Sequence, residues 1–532
     1  MVLKPLPFSL AEFQVQTAAH VMLSQSIIMG ADTGTGKTVM SVVGMSLLIE
    51  DGLIDHIILE VEPSKLEEWV TDLSLYTDIQ VQRYDRPRAK RAAIRSSLPQ
   101  LLVAPYETFR GDIAIKAKDE PPEGRPRAAR GRQGTPTARV SPGPLLEALR
   151  GSRVLMVQDE GTAKMGAQRG SWLYEAHRLM RRELGKAAVY RHWVLSATPM
   201  TRDPVGYFNT ARLLAPEIAG TVSDFERNYV SEVDRFGVPT AFKNLAVSST
   251  PGVPSLQEKL SPLVVYRSKS EPEIAKFFPR KEPMPFASPG YTFVDPSPMD
   301  LEFWEALRGQ YGSKDNDDAL TLLLRQVIGH PMSMLRSAGT MAADIVNIVG
   351  EKGLRALPTT KLDALVALLG SIGSHQSVVF TYFGQSVLPL VQERLVEEGY
   401  SVVINHGLLS SSQRARSREA FLAGDAQVYL SSDAGSRGVN LPSGKWAIDY
   451  DVALTDEVAR QRRDRIDRMN SRHDVIHFTS MVMRNSIEMG LAALCAKRQG
   501  WAEQLGSYDS SGLTADRRKA VLAANRTVSV RV

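Results

Sequence analysis

The chain has a single cysteine, Cys495, among 532 residues. That excludes an intramolecular disulfide and a cysteine-based zinc site. It has no uninterrupted apolar run of about 18 residues, so no membrane-crossing helix is expected. Met1–Phe13 lacks the basic-then-apolar pattern of a secretory leader. Neither sign of charge is in large excess: 64 Lys and Arg stand against 59 Asp and Glu, a net charge of +5. A balance that small does not argue for nucleic-acid binding, so the placement of the charges has to carry that case. His177, His192, His330, His375, His473 and His477 are scattered without metal-ligand spacing. No short repeat period is visible. What is abundant is ordinary: 43% apolar and 23% charged residues, the make-up of a globular protein. At roughly 150 residues per domain the length suggests about three to four domains. An intracellular protein is expected.

Short, continuously apolar runs recur: Ser26–Met29, His56–Val61, Leu101–Ala104, Val154–Val157 and His192–Leu195, then Ser377–Tyr382, Ser401–Ile404, Gln427–Leu430, Trp446–Tyr450 and Val475–Phe478. Runs of this kind suit strands buried on both faces. Helical patterns such as Lys361–Leu369, Val387–Glu398 and Gln413–Leu422 lie between them. Strand–helix alternation predicts an α/β protein with parallel sheets, in two blocks. From about Asp203 to Thr360 helical patterns dominate and prolines interrupt the middle, which reads as helical extensions and a connector. Lys116–Arg139 holds seven basic and three acidic side chains and almost no bulky apolar one. It reads as a solvated flexible loop or as a basic loop touching DNA phosphates; composition leaves both open.

Ile27-Ile28-Met29 runs into Gly30-Ala31-Asp32-Thr33-Gly34-Thr35-Gly36-Lys37-Thr38 and then an apolar helix. Gly34 and Gly36 let backbone N–H groups face a phosphate, and the helix start adds partial positive charge. Lys37 supplies a cation for β/γ phosphates and Thr38 a hydroxyl for Mg²⁺; Thr33, Gly34, Thr35 and Gly36 complete the cradle. Val154–Val157 ends in Gln158-Asp159-Glu160. Asp159 would hold Mg²⁺ and Glu160 would orient and deprotonate water. Gln461, Arg465 and Arg468 stand at i, i+4 and i+7, which predicts a helix presenting them on one face toward a γ-phosphate. A solvated basic helix is the plainer reading, since Arg460, Arg462, Arg463 and Arg472 are there too.

The order of these segments resembles the helicase superfamily-two ATPases, and within them the Swi/Snf-like branch of double-stranded DNA translocases. Leu10–Gln14 resembles the Q motif and implies that Gln14 contacts adenine. Val61–Leu66 with Trp69 is similar to a "P-x-x-L-x-x-W" element, and Pro105–Thr108 to a "T-Y-E" element. Leu195–Pro199 stands as motif III. Leu324-Arg325-Gln326 with His330-Pro331 resembles an "L-R-Q…H-P" connector, Val378–Phe383 motif IV, His406-Gly407 with Arg414 and Phe421 the "G…R…F" run, Ser431–Leu441 motif V, and Gln461–Arg468 motif VI. The departures are Ala31 where the first glycine of the phosphate loop is usual, Gly161-Thr162 where Ala-His is usual, Met200-Thr201-Arg202-Asp203 where an Asn usually follows Thr-Pro, Asp467 where His is common, and Met469-Asn470 where Ile-Gly is common.

The resemblance implies two RecA-like domains: residues 1–215 with a flexible loop at 114–143, a helical connector at 216–355, a second domain at 356–500 and a tail at 501–532. ATP and Mg²⁺ are the implied cofactors and double-stranded DNA the implied partner, with a recruiting protein open. Gly438 is expected at the nucleotide. Ser64, Lys65, Tyr106, Thr108, His406, Gly407 and Ser432 are expected on loops that meet nucleic acid. Three functions fit: a duplex-tracking translocase that remodels DNA or protein–DNA complexes, a strand-separating DNA or RNA helicase, and a nucleotide-gated DNA-binding scaffold with a weakened ATPase.

Overall fold

The computed structural model describes residues 2–116, 140–162, 171–185, 189–197, 204–235, 237–284, 290–312, 317–436 and 439–504. The chain divides into two compact units, Met1–Ile274 with Gly500–Ser510, and Ala275–Gln499 with Ser511–Val532.

The first unit is built on a seven-stranded parallel sheet. Its strands are β1 (Ser26–Ala31), β2 (His56–Val61), β3 (Val81–Arg83), β4 (Leu101–Pro105), β7 (Val154–Asp159), β8 (Tyr190–Ser196) and β11 (Val264–Arg267). Their order across the sheet is β11-β1-β8-β7-β2-β4-β3. The interior strands are apolar at nearly every position because helices cover both faces. Ile27, Met29, Ile57, Leu59, Val157 and Trp193 pack on one side with Val42, Met45 and Leu73; Ile58, Val154 and Met156 pack on the other with Phe109, Leu145 and Met180. Two small antiparallel hairpins stand apart: β5 (Ala114–Lys116) with β6 (Val140–Pro142), and β9 (Val230–Val233) with β10 (Pro239–Phe242).

The second unit repeats the plan with β12 (Arg280–Pro283), β14 (Ser377–Thr381), β15 (Val402–Asn405), β16 (Val428–Ser432), β17 (Trp446–Asp449) and β18 (Val475–Met483), in the order β12-β18-β17-β14-β16-β15. A further strand, β13 (Tyr291–Val294), pairs with the far half of β18. All pairings in both large sheets are parallel.

The stretch read as a helical connector differs from that expectation. Helices are present, but β11 closes one edge of the first sheet, while β12 and β13 extend the second. These strands are only four residues long, and prolines flank or terminate them, so their patterns were too short to separate from loops. Among the described residues no helix is long and apolar enough to cross a membrane.

Candidate nucleotide site and its neighbouring loops

In a parallel sheet every strand's carboxyl end lies along one edge, and ligand-binding loops gather there. The phosphate loop leaves β1 on that edge and enters helix α1 (Lys37–Glu50). Gly34 and Gly36 have φ of 87° and 94°, the left-handed region open to glycine. A Cβ on Gly36 would lie 2.5 Å from Gln14 Nε2, and the left-handed φ would strain any side chain placed here. Gln14 braces the loop from behind: its Nε2 donates to Thr35 O (2.9 Å) and its Oε1 accepts from Ala11 N (2.9 Å). Both ends of the amide implied to read adenine are thus engaged by the protein. Thr35 Oγ1 donates to Asp32 O at 2.7 Å, and Lys37 Nζ donates back to Ala31 O at 2.7 Å. Thr33 and Thr38 are half-buried, Thr38 in the first turn of α1.

Asp32 was not singled out from sequence. Its buried carboxylate accepts from Tyr266 OH (2.9 Å), Ser268 Oγ (3.3 Å) and Lys269 N (2.7 Å), tying the phosphate loop to the segment after β11. The partners lie more than 230 positions away, which no local pattern reveals.

Asp159 and Glu160 stand at the carboxyl end of β7. Trp69 Nε1 donates to Asp159 Oδ2 at 2.9 Å, and Tyr106 OH donates to Asp159 O at 2.6 Å. Burial, then the charge of Glu160, pushes the Asp159 carboxyl up to about 6, against the pull of Trp69, Lys65 and Lys37. Glu160 adopts φ 54°, uncommon without glycine. Its Oε2 accepts from Ser196 Oγ (3.1 Å) and Ala197 N (3.4 Å), and Thr162 Oγ1 donates to Ser196 Oγ (2.8 Å). Gly161 answers the departure from Ala: a Cβ there would lie 2.7 Å from Gln158 Cβ and 3.0 Å from Val194 Cγ1. Thr198 and Pro199 of motif III lie outside the described residues.

Beneath this edge lies a buried polar cluster that the sequence reading missed. Gln158 Nε2 donates to Glu60 Oε2 (2.7 Å), His177 Nε2 lies 2.9 Å from the same oxygen, and Gln158 Oε1 meets His192 Nε2 at 2.7 Å. Burial holds His192 well below the ordinary imidazole range. The available signal was Glu60 inside an apolar run, since a buried charge requires partners.

Two residues expected on nucleic-acid loops are enclosed instead. Tyr106 is 1% exposed and anchors Asp159; Ser432 is 3% exposed and accepts from Gly435 N at 3.2 Å. Each satisfies a main-chain group near a strand end: the Asp159 carbonyl for Tyr106 and Gly435 N for Ser432. Lys65 is half-exposed, 2.7 Å from Glu68; Thr108 is half-buried. Ser64 lies in the 3₁₀ turn Pro63–Lys65. In the second unit His406 follows β15, and its Nδ1 accepts from Leu408 N at 3.4 Å; burial and Arg414 lower its proton affinity. Gly407 is exposed. Arg437 and Gly438 lie outside the described residues, as do most of the basic segment, residues 117–139, and the tail from 505.

Motif VI corrects the predicted helix. The helix Asp456–Arg463 stops before Arg465, and Leu441 N captures the Arg465 carbonyl at 2.8 Å. Gln461 therefore sits on the helix while Arg465 and Arg468 sit in the turns that follow, so the three do not share one helical face. Gln461 and Arg468 are half-buried, and Arg465 is 7% exposed. The plainer reading of Arg462 as solvated also fails. It is 1% exposed and faces three carboxylates: Asp433 (2.7 Å), Asp451 (3.2 Å) and Asp449 (3.4 Å). Asp451 also accepts from Thr381 Oγ1 and Tyr382 N and lies 3.6 Å from Arg325.

A glycine-rich phosphate loop before a helix, an acid pair at the end of a strand of the same sheet and a second parallel-sheet unit define a P-loop α/β protein. The helicase conserved C-terminal domain matches residues 360–470. A putative ATP-dependent helicase/translocase, YwqA of Bacillus subtilis (strain 168), is 23% identical over 341 residues, covering 62% of this chain and 34% of that protein. A probable ATP-dependent DNA helicase, CHR12 of Arabidopsis thaliana, is 21% identical over 529 residues, covering 92% of this chain and 41% of that protein. The SWI2/SNF2 ATPase core of Sulfolobus solfataricus in complex with dsDNA aligns at a TM-score of 0.39 and 16% identity, over 94% of each chain. Over residues 360–470 the chain carries the helicase conserved C-terminal domain, and with its ordered motifs the sequence is similar to superfamily-two helicases of the Snf2-like branch. It spans only 34% and 41% of the length of those two relatives.

Proposed function

We propose that the protein is an ATP-driven nucleic-acid motor that tracks along double-stranded DNA and remodels DNA or protein–DNA complexes. One observation carries this reading. Asp159 is hydrogen-bonded by Trp69 and Tyr106, residues of the two elements whose loops are expected to face the nucleic acid. A change of charge at the nucleotide is thereby felt by both elements.

In the proposed cycle ATP lies on the Thr33–Thr38 loop, whose N–H groups cradle its phosphates. Lys37 leaves Ala31 O for the β/γ phosphates. Thr38 and Asp159 would hold Mg²⁺: a hydroxyl and a carboxylate are the hard oxygen donors it takes, and a carboxyl at about 6 is an acid short of a cation. When bound, the ion neutralises charge developing on the phosphates. Glu160, oriented by Ser196 and Ala197 N, aligns water and takes its proton. ATP becomes ADP and phosphate, and Arg465 and Arg468 of the second unit balance the charge on the γ-phosphate.

The test is ATP turnover by the parent, Lys37→Ala and Glu160→Gln with duplex DNA, single-stranded DNA and RNA. Duplex-stimulated turnover lost in both variants supports the reading; turnover at the parent rate in both sinks it. Displacing a triplex strand while leaving a fork paired marks a translocase, and opening the fork marks a strand-separating helicase. ATP binding without turnover in the parent marks a scaffold.

A further inference from the structure

Helix α2 (Arg88–Ser96) lies away from the phosphate loop and concentrates charge. It lies in the chain between the helices Leu66–Tyr76 and Tyr106–Ile113. From Arg83 to Arg95 there are six basic side chains, Arg83, Arg86, Arg88, Lys90, Arg91 and Arg95, and one acidic, Asp85. None of the helix is buried.

The charges are not merely strewn on a surface; a built anchor holds them. The carboxylate of Asp112, 7% exposed, accepts from Tyr84 OH (2.7 Å), Arg91 Nε (2.9 Å) and Arg95 Nη1 (2.8 Å). Arg91 Nη1 also donates to Arg86 O at 2.7 Å, clamping the loop that enters the helix. One carboxylate serving two guanidiniums leaves the anchor itself cationic, and those guanidiniums hold Asp112 below the usual carboxylate range despite its burial. Arg83 is engaged by Glu67 (2.6 Å) and Asp85 (2.7 Å), and Arg86 lies 3.8 Å from Asp85. Arg88 and Lys90 are exposed, and no acidic side chain stands on α2.

Position selects the ligand. The loop into α2 leaves the carboxyl end of β3, on the same sheet edge as the phosphate loop. β3 is five strands from β1, roughly 24 Å at about 4.8 Å per strand. That is beyond the reach of a nucleotide held at Lys37. Lys65 follows β2 and Thr108 follows β4, so the α2 patch continues their row outward by one strand. A lysine, a hydroxyl and the exposed Arg88 and Lys90 along one edge match the donors that meet the phosphates of a nucleic-acid backbone.

We infer that Arg88 and Lys90, held out by the Asp112 anchor, bind the phosphate backbone of the tracked duplex at a site separate from the nucleotide loop. The inference rests on the motor reading above. Such contacts position the protein without reading sequence and make binding salt-dependent.

The experiment measures duplex DNA binding from low to moderate salt for the full chain, for Arg88→Ala/Lys90→Ala and for Arg227→Ala, an exposed arginine elsewhere in the same unit. Melting temperatures confirm that all three fold. The double variant is expected to bind roughly tenfold more weakly at low salt, with a slope of log affinity against log salt smaller by about 1.8, two contacts at about 0.9 each. Arg227→Ala should match the parent. Equal affinity and slope in parent and double variant overturn the inference and leave the motor reading standing. A parent that does not bind duplex at any salt overturns both. Tighter binding of polyglutamate than of duplex through Arg88 and Lys90 also overturns it, in favour of an acidic protein partner.

Discussion

Gly161 shows how much one hydrogen atom decides. The related motif has alanine there, but in this chain Gln158 Cβ occupies the space. Gly161→Ala should cost about 1–3 kcal/mol through overpacking, read as a lower denaturant midpoint. Lys37, Asp159 and Glu160 were legible because their chemistry is written in contiguous residues. Gln158, Glu60, His177 and His192 were not: four separate elements bring them together, and each alone reads as an ordinary core or loop residue. Asp32 was passed over for the same reason.

At the scale of elements, two polar devices hold the second unit's framework. His330 caps the 3₁₀ turn Pro331–Arg336, its Nδ1 accepting from Met332 N at 3.1 Å. Burial pushes its imidazole down to about 4, against an ordinary value near 6.5. The folded protein therefore prefers the neutral ring. The stability this contributes is present above pH 6.5 and is lost as pH falls toward 4. His330→Asn keeps a cap acceptor without the titration, so its stability should fall less steeply than the parent's between pH 6.5 and 4 in denaturant titrations. The Arg462 cage is the second device. Arg462→Met takes the guanidinium from two buried carboxylates, Asp449 and Asp451, and from half-buried Asp433, with only Arg325 still beside Asp451, and should cost about 3–5 kcal/mol, measured by urea unfolding. The element pattern was legible where runs were long and apolar. It failed at motif VI because the helix closes at Arg463 in i→i+3 turns, and Leu441 N, 24 positions before Arg465, takes the Arg465 carbonyl that a continuing helix would use.

At the scale of the molecule, the proposed motor needs both units to act on one triphosphate. Arg465→Ala and Arg468→Ala should bind a fluorescent ATP analogue within about threefold of the parent, yet lose on the order of 10³ or more in duplex-stimulated turnover. If turnover survives in both, the second unit does not complete the site. The two α/β blocks were legible from their buried strand runs. The membership of β11, β12 and β13 was not, since four-residue strands carry too little pattern to choose a sheet.

Local order in the chain was enough to specify the phosphate loop, the acid pair and the paired-block architecture, because each depends on neighbours a few residues apart. Folding alone supplied the partners of the other polar groups: Thr35 O for Gln14, the Asp159 carbonyl for Tyr106, Gly435 N for Ser432 and three carboxylates for Arg462. The reason is physical. A buried polar group must find its partner wherever the packed chain supplies one, and most of those partners lie tens to hundreds of residues away.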